Sequence, residues 1–224
     1  MKNDTDQRKI YVITAPSGTG KSTINRQLVA NIDALSFSVS MTTRNRRPQE
    51  NNGEHYWFVD RETFEGAINS NALIEYAQVF ENLYGTSTSE IKRLQSKDHD
   101  ILIEIDVQGL IQIRSKLPQV IPILIMPPTM QALWERLERR GTDSLETRKL
   151  RFQTAKEELN HRELYEHFVI NHDAQEAYSE LRAFITEGRP LKLSVTQGRE
   201  HCQRLYLESL THKLSNPTDK LNSR

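Results

Sequence analysis

The sequence predicts an α/β fold in which helices flank a largely parallel sheet. Short apolar runs rich in β-branched residues alternate with helical patterns along most of the chain, and this alternation is typical of parallel sheets. The turn between the first apolar run and the first helix is rich in small residues and ends in Gly20-Lys21-Ser22. Polar stretches at about 41–95 and 136–143 interrupt the alternation. They predict two excursions from one main domain, and a chain of this length also allows two small domains.

In the first half, strands are assigned to β-branched runs or to alternation of apolar with small polar residues, and helices to apolar spacings of three and four. Asp60 is a suitable N-cap for a helix that ends near Asn69. The stretch 41–53 is polar, with Gly and Pro, and is predicted as a loop, and 82–86 as a turn. The other assignments are strands at 10–13, 35–40, 56–59, 73–79 and 101–106, and helices at about 23–30, 89–95 and 110–117.

The second half continues the alternation. Pro127-Pro128 ends an apolar strand, and Thr129 is a suitable cap for a helix that runs through Arg139. Asp173 and Glu176 have the spacing of a capping box. The assignments are strands at 120–126 and 168–171, and helices at about 129–139, 145–164, 173–187 and 202–214.

A break at Gly188-Arg189-Pro190 predicts that the main domain ends near Glu187. The rest, 188–224, is then a polar tail with room for one helix. On this interpretation, a chain truncated after Glu187 keeps the activity of the domain. If truncation instead abolishes activity or assembly, the tail helix has a structural role.

The composition of the 224-residue chain excludes several classes of protein. Its 30 basic and 30 acidic side chains balance, so no net charge draws it to nucleic acid or to a membrane surface. The single cysteine, Cys202, excludes an internal disulfide and fits a reducing compartment. The N-terminal residues lack the apolar core of a signal peptide, and the run 120–126 is too short to span a bilayer. We therefore predict a cytoplasmic protein.

The turn Ala15-Pro16-Ser17-Gly18-Thr19-Gly20-Lys21-Ser22 has the pattern of a phosphate-binding loop. Its glycines let backbone N–H groups face phosphate oxygens, and the helix that follows adds its positive end. Lys21 supplies a charge for terminal phosphates, and the Ser22 hydroxyl is a ligand for Mg²⁺. Ala15 stands where such loops usually have glycine, and its methyl group is tolerated only at negative φ.

The first polar stretch contains Arg44, Arg46 and Arg47 among hydroxyl groups, with Tyr56 and Tyr84 further on. Guanidinium groups bind phosphate in a bidentate manner, so this set suits a second phosphate. The residues alone equally allow a solvated basic loop with core tyrosines.

Two carboxylates, those of Glu75 and Asp106, are further candidate functional groups. Glu75 lies inside an apolar strand, where a buried acid needs donors, unless the strand lies at a sheet edge and Glu75 faces solvent. Asp106 ends a core strand and is suited either to the Mg²⁺ shell or to an acceptor substrate. Glu104 can share either role.

The second polar stretch has the pattern helix, glycine break, helix, with arginines on both sides, as expected for a mobile lid. Its cations suit the oxygens of a phosphoryl group in transit. For Arg139 and Arg148, adjacent glutamates favour ordinary salt-bridged helix surface.

In combination, these features resemble guanylate kinases from Ile10 to about Ile185. Several motifs occur in the right order. They are Ser38-Val39-Ser40-Met41-Thr42-Thr43-Arg44, Arg47-Pro48 with Glu50, Gly53 and Tyr56, Glu75, Tyr84-Gly85-Thr86, Ile105-Asp106-Val107-Gln108-Gly109 and Arg140-Gly141-Thr142-Asp143.

The resemblance implies a parallel sheet of the phosphate-loop type with a GMP-binding insert that has a mixed sheet, and a helical lid. The implied domain covers 1–187, with the core at 8–39, 97–134 and 165–187, the insert at 40–96 and the lid at 135–164. The implied reaction is ATP-dependent phosphorylation of GMP, and of dGMP, to the diphosphate by direct in-line transfer. Mg²⁺ is the implied cofactor and ATP and GMP the implied partners, without nucleic acid or membrane, and a homo-oligomer is compatible with this.

The resemblance also implies residue roles. GMP is expected to contact Ser40, Arg44, Arg47, Tyr56, Glu75, Tyr84, Thr86 and Asp106. ATP is expected to contact Ser17, Gly18, Thr19, Gly20, Lys21, Ser22, Thr23 and Asn171. Arg136 is expected to support the lid, Ser22 to bind Mg²⁺, and Lys21, Arg44, Arg140 and Arg151 to be catalytic.

The chemistry of the base agrees with this resemblance. Guanine presents N–H donors at N1 and N2 and an acceptor at O6, which match two carboxylates and the Ser40 hydroxyl. Adenine presents an acceptor at N1, which a carboxylate repels. One alternative is another phosphate-loop kinase, for example one for a ribose bisphosphate, which has no need of Glu75, Asp106 and Ser40 together. Another is a phosphopeptide-binding module, which has no need of Lys21, Ser22 or the lid arginines.

Overall fold

A computed structural model describes residues 8–79, 81–139, 141 and 143–211 of the chain. The fold is α/β, as predicted, with a five-stranded parallel sheet in the order β2-β7-β1-β8-β9 and a four-stranded mixed sheet in the order β4-β3-β6-β5. The strands are β1 Ile10–Thr14, β2 Leu35–Phe37, β3 Met41–Thr42, β4 Trp57–Phe58, β5 Leu73–Val79, β6 Asn82–Ser87, β7 Asp100–Glu104, β8 Ile121–Met126 and β9 His167–Ile170. The helices are α1 Lys21–Asn31, α2 Arg61–Asn69, α3 Thr88–Gln95, α4 Val107–Lys116, α5 Met130–Arg139, α6 Leu145–Asn160, α7 Ala174–Glu187 and α8 Val195–Thr211.

The chain forms two compact units. The first contains residues up to Thr14 together with Asn25–Pro122. In it, β7 lies parallel to both β1 and β2, and the completely buried side chains of β1 and β7 form the core. The mixed sheet has a smaller core around Phe64, Leu73 and Leu83. This sheet carries Glu75, Tyr84 and Thr86, three of the eight residues that the sequence assigns to GMP.

Two predictions for the first unit are wrong. The expected loop at 41–53 begins with strand β3, and the expected turn at 82–86 is strand β6. β3 pairs with β6 through Thr42 and Tyr84, and β6 pairs with β5 along nearly its whole length. Because pairing with neighbouring strands of the sheet supplies the backbone hydrogen bonds, the polar and glycine-containing sequence is extended in spite of its turn signals.

The second unit contains Ala15–Ile24 and the chain from Ile123 onward. In it, β8 and β9 are parallel, and helices α5 to α8 follow the expected order. Asp173 caps α7 by accepting hydrogen bonds from the backbone N–H groups of Gln175 and Glu176, as predicted. Helix α6 ends at Asn160, four residues earlier than predicted, and a 3-10 turn over Arg162–Leu164 follows it.

The tail helix α8 differs most from the prediction. It begins at Val195, seven residues before the expected start at 202, and the expected end at 214 lies outside the described residues. A Cβ atom at Gly198 would overlap the ring of Phe168, so the helix backbone lies directly against β9. Cys202 and Leu205 are completely buried. Helix α8 is thus part of the core of this unit rather than a polar appendage.

Contacts at the ends of other elements also involve α8. The Glu208 carboxylate accepts a hydrogen bond from the backbone N–H of Met130, 3.0 Å away, at the first residue of α5. His201 Nε2 lies 2.9 Å from the carbonyl oxygen of Pro127. Both contacts fix the connection between β8 and α5. No helix within the described ranges is long and apolar enough to cross a membrane.

Candidate active site

The phosphate loop, residues 15–22, has the backbone geometry that its glycines predict. Gly18 and Gly20 have φ values of 96° and 98°, in the region that favours glycine. The backbone N–H of Thr19 donates to the carbonyl oxygen of Pro16 at 3.0 Å. Ala15 is not among the described residues with positive φ, so its methyl group fits, as the sequence analysis requires.

Two residues from distant parts of the chain hold this loop. The carbonyl oxygen of Thr19 accepts hydrogen bonds from Asn171 Nδ2 at 2.6 Å and from Arg136 Nη1 at 3.2 Å. Arg136 Nη2 also donates to the carbonyl oxygen of Asn171, 2.8 Å away. Burial lowers the pKa of Arg136. Arg136 therefore braces the phosphate loop, a contact that its expected role as a lid support did not include.

Lys21 and Ser22 lie in the first turn of α1, which begins two residues before the expected start at about 23. The backbone N–H groups of Thr23 and Ile24 bond to the carbonyl oxygen of Gly20, so the helix begins directly at the loop. Ser22 is exposed. Among the described residues, no group of three or more His, Cys, Asp and Glu side chains is placed to hold a metal ion. The Ser22 hydroxyl is an oxygen donor of the kind that Mg²⁺ accepts as a ligand.

Of the expected lid arginines, Arg151 reaches the phosphate loop. Its Nη1 donates to Ser17 Oγ at 2.7 Å, and its Nε lies 3.2 Å from the Asp143 carboxylate. Arg148 is 3.5 Å from Glu138 and lies over the ring of Trp134, which fits the expected salt-bridged helix surface. Arg140 lies outside the described residues.

Within the first unit, Glu50 organises the arginine-rich stretch. One of its carboxylate oxygens accepts from Arg44 Nη2 at 2.7 Å and the other from the backbone N–H of Arg47 at 2.9 Å. Glu50 is buried, and the hydrogen bond from Arg44 is the main cause that lowers its pKa to about 2. No role for Glu50 follows from the sequence, because nothing in its spacing shows which arginine it contacts.

Tyr56 and Tyr84 lie beside Arg44. The guanidinium carbon of Arg44 lies 5.4 Å from the centroid of the Tyr56 ring, and the rings of Tyr56 and Tyr84 are 5.8 Å apart. Burial, followed by the charge of Glu104, raises the pKa of Tyr56 to about 12. Tyr56 therefore remains a neutral hydrogen-bond donor at physiological pH. Arg47 is exposed.

Glu75 does not face solvent at a sheet edge, because it is only 3% exposed. Its carboxylate accepts a hydrogen bond from Thr86 Oγ1 at 2.6 Å. Burial raises the pKa of Glu75 to about 7, and the charge of nearby Asp106 adds to the increase, whereas the Thr86 hydrogen bond opposes it. A buried carboxylate that is costly to ionise is suited to a ligand that donates hydrogen bonds.

Asp106 and Glu104 have separate partners. Asp106 caps α4, and its Oδ1 accepts from the backbone N–H of Gly109 at 2.9 Å. Glu104 accepts from Asn25 Nδ2 at 2.7 Å. Ser40 is half-buried, and its carbonyl oxygen accepts from the backbone N–H of Trp57. The first unit thus contains a cluster of Arg44, Tyr56 and Tyr84. It also contains the interacting carboxylates of Glu75 and Asp106.

Comparison with known proteins gives a consistent result. The family model described as "Guanylate kinase" matches residues 7–188. The guanylate kinase of Neisseria gonorrhoeae is 45% identical over 172 residues, covering 77% of this chain and 84% of that protein. The guanylate kinase of Acinetobacter baylyi is 39% identical over 192 residues, with 86% and 92% covered. The crystal structure of guanylate kinase from Anaplasma phagocytophilum matches with a TM-score of 0.65 at 30% identity, covering 81% of this chain and 86% of that one.

Proposed function

The chain belongs to the guanylate kinase family, and on that premise we propose how its residues divide the ATP-dependent phosphorylation of GMP to GDP that this enzyme performs. The acceptor residues lie in the first unit and the phosphate loop in the second. Each set is assigned by the chemistry of its own groups. Transfer passes directly from ATP to GMP and needs no covalent enzyme intermediate.

The buried carboxylate of Glu75 is the observation that carries the proposal. In the ionised form it accepts hydrogen bonds from N1–H and the N2 amino group of guanine. Those two donors offset the cost of its burial, which the single hydroxyl of Thr86 does only in part. Asp106, whose charge acts on Glu75, reads the same edge of the base, and the Ser40 hydroxyl donates to O6.

The GMP phosphate is assigned to Arg44, Arg47, Tyr56 and Tyr84. Glu50 holds the Arg44 guanidinium and the backbone N–H of Arg47, so the Arg44 side chain is ordered before the ligand binds. Pre-ordered cations lose less conformational entropy on binding than free side chains do. Tyr56 and Tyr84 add neutral donors for the remaining phosphate oxygens.

The phosphates of ATP are assigned to residues Ser17 to Ser22 of the phosphate loop and to Thr23 in the first turn of α1. Lys21 neutralises the terminal phosphates, and Arg151, which already contacts Ser17, acts with Arg140 on the transferring group. Asn171 acts on this side by holding the carbonyl oxygen of Thr19. Mg²⁺, held through the Ser22 hydroxyl, neutralises charge on the phosphates when bound.

Replacing Glu75 with glutamine tests the base assignment. The amide accepts only one of the two guanine donors and places its NH₂ group against the other. We expect GMP affinity to fall by about 1–3 kcal/mol, the cost of an unpaired buried group, while the KM for ATP stays unchanged. The preference for GMP over AMP should decrease, because the amide does not repel the acceptor at N1 of adenine as a carboxylate does. The measurement is titration with GMP and AMP, with turnover, at constant salt.

Glu81→Gln is the matched control, because Glu81 is an exposed glutamate next to β6. It should leave both nucleotide affinities unchanged. If Glu75→Gln binds GMP as tightly as the wild type and rejects AMP equally, Glu75 does not read the base.

A further inference from the structure

Strand β5, which carries Glu75, contains a β-bulge immediately before this residue. Leu73 pairs with Ser87, whereas Glu75 pairs with Thr86, so two steps along β5 correspond to one step along β6. Ile74 is the extra residue. Leu73, Ile74 and Glu75 are all buried, which a regular strand with one solvent-facing side would not give. Bulges of this kind redirect side chains next to functional sites.

The bulge decides which residue faces Glu75. In an uninterrupted ladder that starts at the Leu73–Ser87 pair, Thr86 would lie opposite Ile74. The shifted register places Thr86 opposite Glu75 instead, where its hydroxyl donates to the carboxylate at 2.6 Å. The position of this carboxylate therefore depends on how firmly the bulge is held.

Two side chains of α4 hold β5 on either side of Glu75. Gln112 Oε1 accepts from the backbone N–H of Tyr76 at 3.1 Å, and Gln112 Nε2 donates to the carbonyl oxygen of Tyr76 at 2.7 Å. Lys116 Nζ donates to the carbonyl oxygen of Leu73 at 2.9 Å. Because β5 is the edge strand of its sheet, the Gln112 carboxamide occupies the place of a neighbouring strand.

The same face of α4 approaches both carboxylates of the base site. Asp106 caps the helix, and a Cβ atom at Gly109 would lie 2.8 Å from Glu75 Oε2. Gln112 and Lys116 follow at helical spacings of three and four. One rigid helix thus starts at Asp106, passes against the Glu75 carboxylate and ends in the contacts that fix β5.

We propose that Gln112, assisted by Lys116, is a positioning residue for guanine recognition. It fixes the bulged segment of β5 so that Glu75 presents its carboxylate at a set separation from Asp106. Gln112 does not touch the substrate and acts through Glu75. This inference rests on the proposed role of Glu75 in reading the base.

A double-mutant cycle tests the inference. Gln112→Met keeps the length of the side chain and removes both hydrogen bonds to Tyr76. We expect the KM for GMP to rise about tenfold, since small misplacements at a binding site are costly, while kcat and the KM for ATP stay within about twofold. In the Glu75→Gln background, the same change should have no further effect on GMP, because coupled residues are not additive.

Two further variants make the result decisive. Gln112→Glu keeps the acceptor for the Tyr76 N–H and loses the donor, so its KM for GMP should lie between those of the wild type and Gln112→Met. Gln95→Met replaces an exposed glutamine at the end of α3 and should change nothing.

The contrary outcomes are distinct. If Gln112→Met raises the KM for GMP equally in both backgrounds, or raises the KM values for ATP and GMP together, Gln112 has a general structural role and the inference is overturned. If Glu75→Gln alone leaves GMP affinity unchanged, the assignment of Glu75 fails first. In the event that Gln112→Met does not fold, a wild-type KM for GMP in Gln112→Glu contradicts the proposal.

Discussion

Replacing Lys21 with alanine is expected to abolish turnover while leaving GMP binding close to that of the wild type. Lys21 is the cation of the phosphate loop and lies at the first residue of α1, whereas every residue assigned to GMP belongs to the other unit. Removing one pre-organised charge from a site of phosphoryl transfer should cost more than ~3 kcal/mol of transition-state stabilisation. The measurements are ADP release at saturating ATP and GMP, and equilibrium titration with GMP.

Lys97→Ala is a matched control, because Lys97 is an exposed lysine next to α3, and it should retain full turnover. Turnover near the wild-type rate in Lys21→Ala would contradict the assignment of the phosphate loop. A parallel loss of GMP affinity would show that Lys21 also acts on the acceptor side.

Truncation after Glu187 is expected to destabilise the protein severely, the opposite of what the break at Gly188 predicts from sequence. The shortened chain loses the buried side chains of Cys202 and Leu205 and the Glu208 contact at the start of α5. Burial of one leucine contributes about 1.5–3 kcal/mol, and whole domains are stable by only about 5–15 kcal/mol. Thermal unfolding and the soluble yield of the truncated chain measure the effect. An unchanged unfolding temperature with retained turnover would show that α8 is dispensable.

A pair of glycine substitutions tests the packing of α8 without removing residues. Gly198→Ala places a Cβ atom against Phe168, whereas Gly66→Ala in α2 meets nothing within 4 Å. The first should lower the unfolding temperature. The second should raise stability by about 0.5–1 kcal/mol, because alanine is the better helix former. Equal responses of the two variants would contradict the close approach of α8 to β9.

Local signals predicted much of the fold. The helix caps at Asp60 and Asp173 and the strand at 73–79 follow directly from residue type and spacing. Strand β6 was missed because its polar and glycine-containing sequence is extended only through pairing with β3 and β5. The start of α8 was missed because Gly198 weakens the helical pattern. Glycine occupies this position because a Cβ atom there would overlap the Phe168 ring.

The candidate site, like the fold, was predictable where local residue types carry the signal and not where long-range contacts do. Glycines, Lys21 and the arginines could be assigned from motifs, because these residue types carry their chemistry in the sequence. The contact of Asn171 with Thr19 joins residues 152 positions apart, and that of Gln112 with Tyr76 joins residues 36 apart. No spacing rule reports such contacts. The contacts of these supporting residues therefore became visible only in the folded chain, although Asn171 itself is named from the resemblance.

Acceptor specificity tests the central claim most directly. The purified wild-type enzyme is supplied with ATP and Mg²⁺ and with GMP, dGMP, IMP, AMP or a ribose bisphosphate in turn, and ADP release is measured for each. We expect rapid release with GMP and dGMP, weaker release with IMP, which lacks the N2 amino group that Glu75 and Asp106 accept, and none above background with AMP or the bisphosphate. Equal release with AMP and GMP would contradict recognition of the guanine edge by the buried carboxylates.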